Sequence, residues 1–491
     1  MTESSTSPIA APGTQPQAVI DIGSNTIRLV IFGGDPRVPG VLLNEKVQAK
    51  LGRGMNETGK LSAKAMSAAL KALRRFALVL NARAITQVHT VATAAVRDAA
   101  NGPEFLAHVK ELGLNPRLLS GEEEALTSAR GVAGAFPDAK GVVADLGGGS
   151  LELVHIAGWT CEHGSSLPLG TLRLPALRAG NPAKFRRETA QLIAKTGSRC
   201  QPGEALYLVG GSFRALARYH LHITHSPLDD PHGFVAAAGE ISKLCRVLQR
   251  MPPVGPVPGI SAARLNALQD TAALLEPLIA ATMAERLIFS GWGLREGIIL
   301  QSLPDSDRQR DAFTSAAMAF AARHGVIGDL PGQTAQWIAA AVTPGSDPAK
   351  ALPGFIALAL ALRAVEPNLR SATALNWALH KRWIGLDGAG RAMLAACLLA
   401  SANRTVPDQV RQLASRQEIQ SATAWGLAMR LCWRLTGFSA ALLPRCQIAI
   451  ADGQLHLRLD QDVKDLATEL TAKDLADIAK NLGLQAIISA E

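Results

Sequence analysis

Two glycine-rich turns, each preceded by an aspartate on an apolar run, are the features of this sequence that could do chemistry. Asp21 precedes the first turn and Asp145 the second, and aligning the two aspartates aligns the turns. Glycine lets the backbone approach a ligand closely, so consecutive N–H groups of such turns can point at phosphate oxygens. The pattern therefore predicts a phosphate site formed by Gly23, Ser24 and Asn25 together with Gly147, Gly148, Gly149 and Ser150.

Carboxylates beside these turns are candidate metal ligands. Asp145 ends an apolar strand, where a charge is costly unless it is paired or bound to a cation. Glu152 begins the returning strand across the turn, and an exposed strand position is the alternative reading of this residue. Oxygen ligands suit Mg²⁺, which keeps several waters and also binds substrate phosphates. We predict that Asp145 and Glu152 hold Mg²⁺, with Asp21 as the equivalent carboxylate of the first half.

A run of three acids, Glu122–Glu124, follows the pair Ser120-Gly121. Attack of water on phosphorus needs a group that positions the water, and each of these carboxylates is a candidate base. Acids are also common in the first turn of a helix because the helix dipole favours them, so the segment alone does not decide between the two readings. Arg97 could clamp a phosphate with two hydrogen bonds.

Alternating strands and helices must position these residues. The expected elements are a hairpin within 18–32, helices over 62–80 and 103–112, strands over 87–91 and 116–119, a second hairpin within 141–155, and a strand over 205–209 closed by Gly210, Gly211 and Ser212. Strands that alternate with helices favour an α/β fold, and the repeated hairpin and turn predict two similar domains.

The character of the sequence changes after about residue 303. Successive Ala- and Leu-rich helices are followed by a hairpin within 447–459, a helix over 472–482 and a last strand. Asp452-Gly453 is a typical hairpin turn. We predict a disordered tail at 1–16, α/β domains at 17–138 and 139–305, and a mainly helical domain at 306–491.

The chain carries a formal charge of +9 with a pI of about 9.4. A basic protein attracts polyanions, although net charge does not choose among nucleic acid, membrane and polyphosphate. Between residues 360 and 450, eleven basic residues stand against four acids, which predicts either a solvated helical surface or a track for a long anion. The basic residues are Arg363, Arg370, Lys381, Arg382, Arg391, Arg404, Arg411, Arg416, Arg430, Arg434 and Arg445.

Cysteine usage and apolar patterning indicate the compartment. The six cysteines are scattered and form no C-x-x-C pair, which fits a reducing environment. The N-terminus lacks the basic and apolar regions of a signal peptide. The longest apolar stretches, such as 355–362, are too short to span a bilayer. We expect a cytoplasmic protein without a membrane span.

Together, these motifs resemble the exopolyphosphatase/guanosine pentaphosphate phosphohydrolase (Ppx/GppA) family. DIGSNTIRLVIF and ADLGGGSLELV resemble its two phosphate motifs, and ATAAVRDA, SGEEEA, SLPLGTLRL, LVGGSFRALA and SGWGLREG follow in the family order within residues 17–300. The resemblance implies an α/β fold of two actin-like, RNase H-type domains with a cleft between them. Longer members add a mainly α-helical domain similar to HD phosphohydrolases.

The resemblance also implies roles for individual residues. Asp145 and Glu152 would bind Mg²⁺, and a monovalent cation such as K⁺ is compatible with this site. The second Glu of the family pattern S-G-x-E-E-A would be the base, which is Glu124 here, with Glu123 as the adjacent alternative. The phosphate channel would be lined by Gly23, Ser24, Asn25, Arg97, Gly147, Gly148, Gly149, Ser150, Gly210, Gly211 and Ser212.

The HD-like domain shows a departure from the family pattern. Residues 306–491 contain no adjacent His-Asp pair, and His380 and Asp387 are the nearest candidates. We therefore expect the metal site of this domain to be lost, and the domain to bind substrate or form a homodimer.

The sequence thus predicts a Mg²⁺-dependent hydrolase that releases terminal orthophosphate from inorganic polyphosphate, with no nucleic-acid partner. Hydrolysis of guanosine pentaphosphate is the nearest alternative because it uses the same chemistry. A non-catalytic polyphosphate sensor is a third reading, and the presence of Asp145, Glu152 and Glu124 argues against it. Actin-like sugar kinases and chaperone ATPases share the turns, but SGEEEA and SGWGLREG are typical of the phosphatases.

Overall fold

The computed structural model describes residues 15–342, 348–437 and 439–490. Within these residues the chain forms two compact units, one containing 15–226 and 231–309, the other 227–230 and 310–490. The predicted disordered tail lies outside the described residues except for positions 15 and 16. Across the part of the chain that is described, no helix is both long and apolar enough to cross a membrane.

The first unit begins with a five-stranded sheet. Its strands are β1 (Gln17–Ile22), β2 (Ile27–Gly33), β3 (Gly40–Val47), β4 (Gln87–Ala92) and β5 (Pro116–Leu118), in the order β3-β2-β1-β4-β5. The hairpin partners β1 and β2 are antiparallel, whereas β1 and β4 are parallel. The helices of this half are α1 (Met55–Thr58), α2 (Ala63–Ala82), α3 (Ala94–Arg97) and α4 (Gly102–Glu111). Leu73 and Phe76 of α2 pack with Ile20 of β1 in one apolar core.

A second mixed sheet repeats this plan. Its strands are β6 (Lys140–Leu146), β7 (Leu151–Ala157), β8 (Thr160–Cys161), β9 (Ser165–Leu167), β10 (Ala205–Val209), β11 (Val235–Ala237) and β12 (Arg286–Phe289). The order is β11-β12-β10-β6-β7-β8, and β9 also pairs with β7. As in the first sheet, the central strand β6 has an antiparallel hairpin partner on one side and a parallel strand on the other. The repeated hairpin expected from the sequence is therefore confirmed.

Helices of the second half surround this sheet, and two of them join the sheets. The helices are α5 (Gly121–Ala135), α6 (Leu174–Ala179), α7 (Pro182–Lys195), α8 (Gly211–Ile223), α9 (Ala238–Arg250), α10 (Ala262–Asn266), α11 (Leu268–Thr282), α12 (Leu294–Leu300) and α13 (Asp305–Arg308). Although α5 follows the first sheet in the chain, Ala129 and Val132 pack on the second sheet. Conversely, Ile298 and Ile299 of α12 pack on the first. The two helices contact each other so closely that a Cβ on Gly131 would overlap the carbonyl group of Gly293.

The second unit is mainly helical and ends in a small sheet. Its elements are α14 (Ala312–Ala322), α15 (Leu330–Val342), α16 (Pro348–Leu362), α17 (Arg370–Leu375), α18 (Gly388–Ser401), α19 (Asp408–Arg411), α20 (Arg416–Thr436), β13 (Cys446–Ala451), β14 (Gln454–Leu459), α21 (Glu469–Leu482) and β15 (Gln485–Ala490). The predicted hairpin is confirmed, with Asp452 and Gly453 at φ values of 52° and 73° in its turn. The last helix starts three residues before the predicted position because Thr468 caps it through the N–H of Thr471.

Many of the basic residues predicted to form a track are paired with acids inside the second unit. Arg391 is buried. Four ion pairs have N–O distances between 2.6 and 2.9 Å: Arg382 with Asp230, Arg430 and Arg434 each with Asp474, and Arg445 with Asp460. Paired charges attract a distant polyanion less than unpaired ones. The track therefore stays a prediction that depends on fewer residues than the sequence suggests.

The two residues nearest to an HD pair contact other groups. His380 Nδ1 lies 3.3 Å from the carboxylate of Asp229. Asp387 accepts a hydrogen bond of 2.8 Å from the N–H of Gly390 and caps the first turn of α18. Their side chains therefore have local structural partners, and the HD-like character of this unit stays a prediction.

Candidate active site

The candidate site begins with the two hairpins that carry the glycine turns. Strand register places Asp145 opposite Glu152 in β6–β7, and Asp21 opposite Arg28 in β1–β2. Directly opposed residues of an antiparallel pair project from the same face, so each hairpin presents two charged side chains beside its turn. Both turns also close in the same way, with a 3.0 Å hydrogen bond from the first glycine N–H to the carbonyl three residues later.

The two turns meet at a cleft of about 360 Å³ in the first unit. A Cβ on Gly148 would lie 3.1 Å from the backbone nitrogen of Asn25, a contact so tight that the first turn would have to shift to accept it. All the predicted phosphate-binding residues except Arg97 line the cleft, together with Asp21, Glu124, Asp145 and Glu152. These residues are Gly23, Ser24, Asn25, Gly147, Gly148, Gly149, Ser150, Gly210, Gly211 and Ser212. The structure thus brings together groups that are far apart in the sequence.

The third glycine motif contributes a helix terminus. Gly210 has φ 108°, a conformation that favours glycine, and a Cβ there would overlap the carbonyl of Leu146. Helix α8 starts at the next residue, and its first residues, Gly211 and Ser212, line the cleft. The backbone N–H groups of a helix N-terminus attract anions, so this end of α8 can contribute to a phosphate site.

The three acids of α5 have different environments. Glu123 is exposed, and its side chain accepts a 2.8 Å hydrogen bond from the Ser120 N–H, which completes a capping box. Glu124 lines the cleft, its side chain is only 12% exposed, and Arg97 donates a 3.0 Å hydrogen bond to it. Burial raises the pKa of Glu124 to about 7, despite the opposing effect of Arg97. The geometry therefore favours Glu124 over Glu123 as a group that could accept a proton.

Arg97 was expected to line the phosphate channel, but the described residues that line the cleft do not include it. Its guanidinium donates to Glu124 and to the Leu119 carbonyl, and lies 3.5 Å from Asp98. These contacts engage the Arg97 guanidinium with Glu124, the Leu119 carbonyl and Asp98. We therefore assign it to positioning Glu124 in this structure.

Hydroxyl groups hold two of the remaining acids. Ser166 Oγ donates a 3.0 Å hydrogen bond to Glu152, and Ser128 Oγ donates to Asp145. Burial raises the pKa of Asp145, and burial followed by the nearby Glu124 and Asp145 charges raises the pKa of Glu152 well above its usual range. Burial also raises the pKa of Asp21, although Arg295 and Arg28 act against the rise. Crowded, buried carboxyl groups of this kind are stabilised in the charged form when a cation binds.

Five basic side chains of the cleft wall were not identified as site residues from the sequence: Arg28, Lys46, Arg214, Arg264 and Arg295. Burial, followed by the charge of Arg295, lowers the pKa of Arg28 to about 10. Burial, followed by Arg264 and Arg28, lowers the pKa of Lys46. Arg28, Arg214 and Arg295 stand inside the quoted motifs and could have been considered, whereas Lys46 and Arg264 belong to none of them. Cations that depress one another's pKa favour a bound anion.

A family model described as the Ppx/GppA phosphatase family matches residues 30–306 of this sequence. The chain belongs to the Ppx/GppA phosphatase family. Among curated Ppx/GppA relatives, Exopolyphosphatase 1 of Mycobacterium tuberculosis (strain H37Rv) is 28% identical over 350 residues, which covers 67% of this chain and 99% of the relative. Exopolyphosphatase 1 of Mycobacterium leprae is 27% identical over 319 residues, covering 61% and 93%.

Two solved structures share their fold with 58–59% of this chain. The Aquifex aeolicus family member has a TM-score of 0.52 at 25% identity, covering 59% of this chain and 97% of that one. An exopolyphosphatase from Cytophaga hutchinsonii has a TM-score of 0.51 at 23% identity, covering 58% and 97%. The expected actin-like α/β fold is therefore confirmed, and the structure shows in addition that both of its sheets are mixed. As a Ppx/GppA member with exopolyphosphatase relatives, the chain is a hydrolase of phosphoanhydride bonds.

Proposed function

We propose that the chain is an exopolyphosphatase, which hydrolyses inorganic polyphosphate from its end and depends on Mg²⁺. The observation that supports this most is the set of five cationic side chains in the cleft wall. Polyphosphate offers a protein only charge and phosphate oxygens, so a chain-end site must combine cations with backbone N–H donors. The names of the mycobacterial relatives point the same way.

Asp145 and Glu152 fit a Mg²⁺ ion by their chemistry. Both are oxygen donors on facing strand positions, and burial raises the pKa of each. Within the described residues, no group of three or more His, Cys, Asp and Glu side chains is arranged to hold a metal. Two carboxylates supplemented by water and substrate phosphate are a usual arrangement for Mg²⁺. When bound, Mg²⁺ would neutralise charge on the phosphate under attack. Asp21, the third proposed ligand, faces Arg28 across its own hairpin.

The backbone and side-chain groups of the cleft can then take separate roles in hydrolysis. The N–H groups of the two glycine turns and of the α8 terminus bind the terminal phosphate. Glu124 orients a water molecule in line with the bridging oxygen and takes its proton as the water oxygen bonds to phosphorus. The bond to the bridging oxygen breaks, and the shortened chain keeps that oxygen. A pKa of about 7 lets Glu124 accept this proton near neutral pH.

The test is a comparison of substrates with one enzyme preparation. Orthophosphate release is measured from long-chain polyphosphate, guanosine pentaphosphate and ATP, each with Mg²⁺ and with EDTA. We expect the fastest release from polyphosphate, and a large loss of activity with EDTA. Faster release from guanosine pentaphosphate would favour the alternative substrate, activity that survives EDTA would contradict the metal requirement, and binding without release would favour a sensor.

Two further proposals concern the whole protein. All six cysteines are free, which supports a reducing compartment such as the cytoplasm. We also propose a homodimer, which the family resemblance implied. Light scattering of the purified protein measures its mass in solution, and a monomer across a range of concentrations would contradict the dimer.

A further inference from the structure

Thr93 directly follows strand β4, in the motif ATAAVRDA that also contains Arg97. It is only 4% exposed, and it lines the cleft. A threonine that precedes the first turn of a helix usually caps that helix, yet the Thr93 hydroxyl makes no such hydrogen bond to α3. Among the described residues, no protein group is hydrogen-bonded to this hydroxyl. Since buried polar groups need a partner, the partner of Thr93 is to be sought in the cleft.

Backbone hydrogen bonds fix the position of Thr93 beside three parts of the site. Its N–H donates a 3.3 Å hydrogen bond to the Ile22 carbonyl, directly before the first glycine turn. Its carbonyl accepts a 3.1 Å hydrogen bond from the N–H of Arg97, whose guanidinium holds the base candidate. The next residue, Ala94, approaches the second glycine turn so closely that a Cβ on Gly149 would lie 3.0 Å from the Ala94 Cβ. Thr93 therefore lies next to both phosphate turns and to the residue that positions the base.

Thr90, three residues earlier, is a natural comparison for Thr93. Thr90 is 3% exposed, and its hydroxyl is enclosed without a hydrogen-bond partner in the described part of the chain. It lies within β4, and the described residues that line the cleft do not include it. The Thr90 hydroxyl thus has no access to a ligand, whereas Thr93 borders the space where water and phosphate would bind.

The inference drawn from this contrast rests on the proposed function, in which Glu124 takes one proton of the attacking water. An in-line water directs a lone pair at phosphorus, so both of its O–H groups point away and each needs an acceptor. Glu124 is one acceptor. A threonine hydroxyl can be the other, because it accepts one hydrogen bond while it donates a second. Its branched side chain is also restricted at χ1, which holds the hydroxyl in place.

We propose that the Thr93 hydroxyl accepts a hydrogen bond from the second O–H of the attacking water and donates one to a non-bridging oxygen of the terminal phosphate. As the water oxygen bonds to phosphorus, Glu124 takes one proton and the other stays on that oxygen. The electron pair of the broken bond remains with the bridging oxygen of the shortened chain. Thr93 neither gains nor loses a proton, so it fixes the direction of attack.

The first test removes the hydroxyl with Thr93→Val, which keeps the branched shape. We expect kcat for phosphate release to fall by about 10²-fold with KM unchanged, as for the loss of a hydrogen bond made in the transition state. Thr93→Ser returns the hydroxyl and should recover most of this loss. Thr90→Val is the matched control and should keep the wild-type kcat. Melting temperatures show that each variant is folded, and Thr93→Ala replaces Thr93→Val if the latter is not.

Three results of this comparison would overturn the role of Thr93. They are a wild-type kcat in folded Thr93→Val, a loss that Thr93→Ser does not recover, and an equal loss in Thr90→Val. The last result would show that packing at the end of β4, and not the hydroxyl in the cleft, determines the rate.

The second test is a double-variant cycle with Glu124→Gln. If both side chains orient one water, Thr93→Val should lower kcat far less in the Glu124→Gln protein than in the wild type. Equal fold-losses in the two backgrounds would overturn the shared water. Release by the wild type from guanosine pentaphosphate but not from polyphosphate would overturn the proposed substrate alone, and the cycle is then measured on the pentaphosphate. No release from any phosphoanhydride would overturn both the proposed function and the role of Thr93.

Discussion

At the scale of single residues, the acids of the cleft differ in what each side chain contacts. Glu123 completes the cap of α5, whereas Glu124, one residue later, is turned into the cleft and held by Arg97. Asp145 and Glu152 are held by the hydroxyl groups of Ser128 and Ser166. A buried carboxylate that keeps hydrogen-bond partners but lacks full charge compensation is typical of a functional site.

The neighbouring glutamates give the sharpest test of the base. Glu124→Gln keeps the size of the side chain and removes the proton acceptor, so turnover should fall by about 10²–10⁴-fold. Glu123→Gln should keep most of the activity and lose some stability, since its carboxylate caps α5. Rates of phosphate release and the melting temperature of each variant are measured. An inactive Glu123→Gln beside an active Glu124→Gln would exchange the two assignments.

Ser166 is a positioning residue that the motif analysis quoted without a role. Ser166→Ala removes the hydrogen bond to Glu152, and loss of such a support typically costs about 10–100-fold in metal affinity or activity. The Mg²⁺ concentration that gives half-maximal activity should therefore rise. Ser165→Ala, at the preceding position of β9, is the control. The same Mg²⁺ dependence in both variants would show that Ser166 does not support a metal ligand.

At the scale of elements, the two sheets are joined by helices that cross from one to the other. Helix α5 packs on the second sheet and α12 on the first. Glycines at their contact, Gly131, Gly293 and Gly297, let the two backbones approach closely. The first turn of α5 carries Glu124, and the loop before α12 carries Gly293, which lines the cleft. The contact that joins the sheets therefore also positions the base candidate.

A methyl group at this contact should separate the helices. Gly131→Ala would place its Cβ against the backbone of Gly293, and overpacking of this kind typically costs about 1–3 kcal/mol. Gly239→Ala in α9 meets no described atom within 4 Å and should stabilise the protein by about 0.5–1 kcal/mol. Denaturant unfolding of both variants measures the difference. Equal stability of the two would show that the α5–α12 contact tolerates an added methyl group.

The sequence was informative where the chemistry depends on local structure. A hairpin fixes the positions of Asp145 and Glu152 through its own register, so their common face was predictable. Lys46 and Arg264 reach the cleft from segments outside the motifs, and only the tertiary fold brings them there. Arg97 was expected on the phosphate channel because a guanidinium can clamp a phosphate, whereas its pairing with Glu124 joins residues 27 positions apart and is visible only in the structure. Likewise, the choice between Glu123 and Glu124 required the direction of each side chain at the start of α5.

At the scale of the whole molecule, positive charge is organised differently in the two units. In the first unit, five basic side chains line one cleft. In the second, arginines that dominate the sequence count are paired with acids, including Asp474, which contacts both Arg430 and Arg434. The excess of basic residues between 360 and 450 therefore does not translate directly into an anion-binding surface.

Salt dependence should separate the contributions of the two units. A double variant of the cleft, Lys46→Gln with Arg264→Gln, should raise KM for long-chain polyphosphate. By analogy with nucleic acids, it should also lower the slope of log KM against log salt by about 1 per cation removed. The matched double variant of the second unit is Arg404→Gln with Arg416→Gln. A larger effect of this second pair, confined to long chains, would place the main binding charge in the second unit.

The two hairpins of the cleft share one plan but differ at one position of their charged pairs. Seven residues after its aspartate, the first hairpin has Arg28 and the second has Glu152. A linear polyphosphate is identical when read from either end, so the molecule itself does not determine which way it enters. If it is the substrate, its direction must come from the protein. If the two halves of the duplicated site were alike, they could not provide that direction. The difference between Arg28 and Glu152 makes the two sides of the cleft chemically distinct.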